Sequence, residues 1–132
     1  MSALERSLRI VYGWIEKAEN DLKNAMLALK AGEECPADTV AFHAQQCVEK
    51  YLKAYFAFKS IEFPRTHDIE ELAALLEPGS RIGLSIKEQR RFTAYATVTR
   101  YPGEYEPVSL AEARRARKEI RRLLPKEARR GR

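Results

Sequence analysis

Apolar residues recur along this chain at steps of three and four, and no alternation with a period of two survives beyond a few residues. In the first segment Trp14, Ala18, Leu22, Ala25 and Leu29 make one apolar stripe. That pattern predicts a helix from about residue 3 to residue 31, stopped at Gly32, which can adopt the left-handed backbone that ends a helix. A second helix is predicted after Cys35-Pro36 and runs to about Ser60, because Pro64 forbids a longer one. A short third helix covers roughly 68–76, with Asp68 and Glu71 at capping-box spacing and Thr66 as an alternative cap. Glu77-Pro78-Gly79 closes it. Ser85 with Glu88 opens a fourth helix, which runs to about Arg100, where Pro102 disfavours helical geometry at Tyr101. Ser109 with Glu112 opens a fifth, which stops at Pro125.

These elements predict an all-α protein: an up-and-down four-helix bundle carrying an additional short helix, five helices in all. A chain of 132 residues is one domain by size, and it can bury a core without metal or disulfide staples. The reading is a single helical domain over 1–132, with a basic tail from about residue 126. Cys35 and Cys47 are too few and too isolated for a disulfide framework. No apolar run approaches the ~18 residues a membrane span needs, and MSALERSLRI has no signal-peptide core. A cytoplasmic protein that does not enter membranes is expected.

The net charge of +5 is unevenly placed. Residues 1–113 hold 14 Lys and Arg against 17 Asp and Glu, whereas residues 114–132 hold 10 against 2. A slightly acidic body thus ends in a basic stripe, suited either to nucleic acid or to an acidic partner, or to simple solvation.

The second helix has the sharpest constellation. At about 100° per residue, His43, Gln46, Lys50 and Lys53 share a narrow arc, while Val40, Ala44, Val48, Tyr51, Leu52 and Tyr55 occupy another. One side is expected in the core and the other as a polar, cationic strip. There Lys50 and Lys53 could meet phosphate, and Gln46 and His43 could hydrogen-bond a base or a sugar. Equally, the lysines could pair with Glu49 or another acid. Phe42 and Phe56 flank Glu49, away from the main apolar arc, and could pack inside the subunit or on a twofold partner. His67, beside Asp68 at a helix start, is a candidate proton carrier or a local cap. Arg100 could clamp phosphate through its planar fork, or neutralise the end of the fourth helix.

HAQQCVEKYLKAY at 43–55, RTHDIEEL at 65–72 and ATVTRYPGEY at 96–105 together resemble the signature of the HEPN (higher eukaryote and prokaryote nucleotide-binding) family. The resemblance rests on Gln46, Glu49, Lys50, Lys53 and Ala54 in a Q-x-x-E-K-x-x-K-A run, on Thr66-His67-Asp68, and on Arg100-Tyr101-Pro102. It implies a small helical bundle and a homodimer. It also implies a nucleotide- or RNA-phosphate-binding role, often beside a minimal nucleotidyltransferase in a toxin–antitoxin-like pair. Ribonucleases of the family carry an Arg, then four to six intervening residues, then a His. Here Tyr105, Glu106 or Pro107 stands at that place, and no histidine follows His67. The usual cleavage mechanism therefore lacks its base, since a tyrosine with a pKa near ~10 is a poor base at neutral pH.

Three readings follow. The leading one is a binding module using Arg100, Tyr101, Lys50, Lys53, Gln46, His43 and the helix-five arginines. The second is a metal-independent endoribonuclease using Arg100 with Tyr105 or His67 as a surrogate base. The third is a non-catalytic assembly protein. No glycine-rich phosphate loop, H-E-x-x-H or G-x-S-x-G is present. Cys35, His43, Cys47 and His67 match no zinc spacing. Neither a metal nor a cofactor is expected.

Overall fold

The computed structural model describes residues 1–80, 82–98 and 107–123. Among them lie five α-helices and no strand: α1 (Ala3–Leu29), α2 (Ala37–Phe58), α3 (Ile69–Ala73), α4 (Ile86–Val98) and α5 (Leu110–Leu123), with a single 3₁₀ turn at Gly32–Glu34. The predicted all-α bundle with one short member is what forms.

Four of the helices start where a short polar side chain accepts from a free backbone N–H of the first turn, whereas α2 starts after Pro36 with no side-chain cap. Ser2 accepts from Glu5 N, Asp68 from Glu71 N and Ser109 from Glu112 N, at 3.0–3.1 Å. At α4 the capping box is complete: Glu88 N donates to Ser85 Oγ at 3.1 Å, and Ser85 N donates back to Glu88 Oε1 at 3.0 Å. α3 is shorter than its pattern predicted. Beyond Ala74 the chain tightens into i→i+3 bonds, Leu75 N to Leu72 O and Leu76 N to Ala73 O, both at 3.0 Å.

α2 ends in a Schellman arrangement. Ile61 N donates to Phe56 O at 2.8 Å and Ser60 N to Ala57 O at 3.2 Å, which requires the left-handed φ of +58° found at Ser60. The chain then turns back through 59–68 and lays Phe63 against Phe56 and Trp14.

α2 packs against all four other helices. It runs antiparallel to α1, since Lys53 meets Trp14 while Lys50 meets Asp21. Asp38, in its first turn, accepts from Val108 N at 3.0 Å and so ties the approach to α5 to the start of α2. α4 and α5 run antiparallel and are bridged by long side chains: Arg91 pairs with Glu119, and Arg122 with Glu88. Alanines at the helix contacts (Ala18, Ala25, Ala41, Ala44, Ala113 and Ala116) are fully buried and let the backbones approach closely. Phe56, Phe92, Leu52, Ile69, Leu72 and Ile120 fill the remaining volume. Phe56 therefore packs inside the subunit; Phe42 is half-buried, with its ring edge-on to His43.

Among the described residues no helix is long and apolar enough to cross a membrane.

Candidate functional site

α2 is not one-sided. From Val40 to Phe56 none of its residues is exposed, so the expected outward-facing cationic strip is a buried or half-buried polar seam. The reason is geometric. α1 covers one flank of the strip and the returning 59–68 segment covers the other, and each brings its own polar groups to the contact.

Glu49 is the hub of the first half of the seam. Its side chain is almost fully buried, yet it takes three partners: Lys53 Nζ at 3.0 Å, Gln45 Nε2 at 3.0 Å and His67 Nδ1 at 2.9 Å. Burial pushes the Glu49 carboxyl up, but the hydrogen bonds from His67, Lys53 and Gln45 outweigh it and hold the group below the usual carboxylate range. Gln45 Nε2 also donates to the His67 carbonyl at 3.0 Å, and Gln46 Nε2 donates to Gln45 Oε1 at 2.7 Å. Lys53 Nζ lies between two rings, 5.5 Å from the centre of Trp14 and 5.9 Å from that of Phe63. Its charge is thus compensated by a carboxylate and two aromatic faces.

Asp21 of α1 is the hub of the second half. Its two oxygens are divided between His43 Nδ1 at 2.8 Å and Lys50 Nζ at 2.6 Å. A carboxylate only accepts, so Nδ1 of His43 is the donor in this contact. Tyr51 OH donates to Glu19 at 3.4 Å beside it. Cys47, one turn from His43, is fully buried, and burial pushes its thiol well above the ordinary value. It packs as a small apolar group. Among the described residues no group of three or more His, Cys, Asp or Glu side chains could hold a metal ion.

The structure thus brings the sequence candidates together in pairs rather than in one hollow. Lys53 and His67 share Glu49, whereas Lys50 and His43 share Asp21. His67 does not cap α3; Asp68 does, while Thr66 Oγ1 accepts from Asp68 N at 3.0 Å. Arg100, Tyr101, Tyr105 and the basic tail from 126 lie outside the described residues. Asp21 and Gln45 were missed. For Asp21 a signal existed, because it interrupts the apolar stripe of α1 between Ala18 and Ala25. An acid on an otherwise apolar face needs a partner.

A second feature lies between the carboxyl-terminal end of α1 and the outer face of α5. It is a cleft of about 380 Å³, lined by Met26, Leu29, Lys30, Arg114, Arg117 and Lys118. None of its four cations forms an ion pair among the described residues. Arg117 Nε is shielded from solvent and has no hydrogen-bond partner there.

No match was found among curated proteins, and none among solved structures. Residues 11–129 match the model of the HEPN domain, nearly the whole chain and all three sequence landmarks. On that match, and with the helical fold it calls for, the chain belongs to the HEPN domain family.

Proposed function

We propose that this chain is a nucleotide- or RNA-phosphate-binding helical module that acts as a homodimer beside a minimal nucleotidyltransferase, in a toxin–antitoxin-like pair. Family membership supports a nucleotide- or RNA-related role in general. One observation carries the phosphate reading further: the distribution of compensated and uncompensated cations. Lys50 and Lys53 are neutralised by Asp21 and Glu49, so they shape the bundle. Lys30, Arg114, Arg117 and Lys118 have no acidic partner among the described residues and face a cleft. Arg100 is a further candidate ligand on the strength of its sequence position alone.

Fluorescence anisotropy with a labelled single-stranded RNA, together with calorimetry with ATP, tests this. Binding should be saturable and weaken steeply between 50 and 200 mM salt, as expected when phosphates displace counterions. It should also fall in Arg114→Gln/Lys118→Gln. Absence of binding to either ligand at millimolar concentration would overturn the reading. Sedimentation at micromolar concentration checks the dimer, and co-purification with a co-expressed nucleotidyltransferase checks the partner.

One geometry favours a second reading, metal-independent RNA cleavage. The His67 side chain is 55% exposed while its Nδ1 is held by Glu49. An imidazole oriented by a carboxylate, with its other nitrogen available, is the arrangement of a general base. This reading requires cleavage that persists in EDTA and stops in His67→Ala. RNA left intact by pure protein removes it.

A further inference from the structure

We propose that the cleft between the end of α1 and α5 is a binding site for an oligophosphate, the chemistry shared by a nucleoside triphosphate and the 5′-triphosphate end of an RNA. The proposal rests on the phosphate reading above and adds to it a place and a ligand class.

Four observations support it. First, the lack of compensation is selective. On the neighbouring faces of α4 and α5, Arg91 and Arg115 both meet Glu119, and Arg122 meets Glu88. Only around the cleft are the described basic side chains of α5 left without an acid. Second, Arg114, Arg117 and Lys118 stand at i, i+3 and i+4 on one helix face, within about one turn, and Lys30 faces them from α1. Among the described side chains further along α5, Arg122 is paired with Glu88.

Third, Arg117 Nε is a buried donor with no acceptor among the described residues. No hydrogen bond or ion pair among the described residues occupies the rest of this half-buried guanidinium, whose planar fork suits phosphate oxygens. Fourth, the cleft volume falls within the ~300–1,000 Å³ of small-molecule sites, and its half-buried Met26 and Leu29 give an apolar floor on which a base or ribose can rest. One terminal phosphate carries about two negative charges, which leaves two of the four cations unmatched; a chain of phosphates meets them all. The negative end of the α1 dipole opposes an anion only weakly, and only within its last turn.

The probes are inorganic triphosphate, ATP, AMP, and one short RNA bearing either a 5′-triphosphate or a 5′-hydroxyl. Affinities are measured at fixed low ionic strength with the full-length chain. Triphosphate should bind the wild type, and Arg117→Gln should weaken it about tenfold or more. Lys118→Gln should weaken it less, and Lys87→Gln, an exposed lysine of α4 away from the cleft, not at all. Thermal melts of the variants should match the wild type, which separates lost binding from lost folding. Tighter binding of ATP than AMP supports the site with a free nucleotide as ligand. Tighter binding of the 5′-triphosphate RNA than its 5′-hydroxyl form supports it with an RNA end. Triphosphate affinity unchanged by both cleft variants overturns the location while leaving the phosphate reading intact. Equal affinity for the two RNA forms, without triphosphate binding, overturns the oligophosphate assignment alone. No binding of any probe overturns both.

Discussion

Lys53 and Glu49 stand one turn apart on α2, 3.0 Å from each other, with side chains only 9% and 3% exposed. A buried pair of this kind adds little net stability over an apolar pair of the same shape, but removing one member leaves an uncompensated charge inside the protein. Glu49→Leu should therefore cost about 3–5 kcal/mol, the more so because Gln45 and His67 lose an acceptor with it. The double variant Glu49→Leu/Lys53→Met should recover most of that loss. Urea unfolding followed by circular dichroism measures both. A double variant no more stable than the single would show that the pair has no such coupling.

Acid should act through the same carboxylate. The folded-state pKa of Glu49 lies below its ordinary value of 4.5, so its contribution to stability is fully present above that value and is lost as the pH falls through the folded pKa. Glu88 behaves alike: burial pushes it up, but the Ser85 N–H, Glu119 and Arg122 draw it down to about 2. Its partner Glu119 shifts the other way, raised first by burial and then by its hydrogen bond with Glu88. Unfolding free energy should accordingly decline from about pH 4.5 towards pH 2, and Glu49→Gln should make that decline shallower. Identical slopes for the two proteins would mean that Glu49 is not held low.

The two cysteines should differ in reactivity. Cys47 is fully buried and its thiol is kept protonated by burial, with Asp21 and Glu19 adding to the effect. Cys35 is only half-buried. The thiolate is the nucleophile, so an alkylating reagent near pH 8 should label Cys35 in the native protein and Cys47 only after denaturant is added. Mass spectrometry of the labelled peptides reads this out directly.

Ser60 adopts a φ of +58° to close α2, a backbone that costs a non-glycine residue roughly 1–2 kcal/mol. Ser60→Gly should recover about 1 kcal/mol of this, less what glycine gains in the unfolded chain. A melting temperature unchanged or lowered by the substitution would count against strain at this position.

The sequence was most informative about helix starts, because capping is a local matter. Ser85 with Glu88 was legible from four residues and forms a complete capping box. It was least informative about α2. Wheel arithmetic separates arcs of a helix but cannot say how many neighbours the helix has. Contacts from α1 and from the returning 59–68 segment turned the expected outer strip into an interior seam. The partners of Lys50 and His43 are 29 and 22 residues away, on α1, and no local pattern pairs them. Glu49 did carry a legible cue in its place between Phe42 and Phe56, on a face that proved to be core for Phe56. The uncompensated cations of α5 were visible only as a charge imbalance. Distinguishing Arg117 from the paired Arg115 and Arg122 required knowing where Glu88 and Glu119 point.

The enclosure of α2 from Val40 to Phe56 also bears on how this protein can change over evolutionary time. Each residue there answers to another part of the chain, so a replacement is acceptable only where its neighbours across the contact change in step. New specificities are left to the outer helices. α5 can exchange its outward residues for new ligands while the central rod stays as it is.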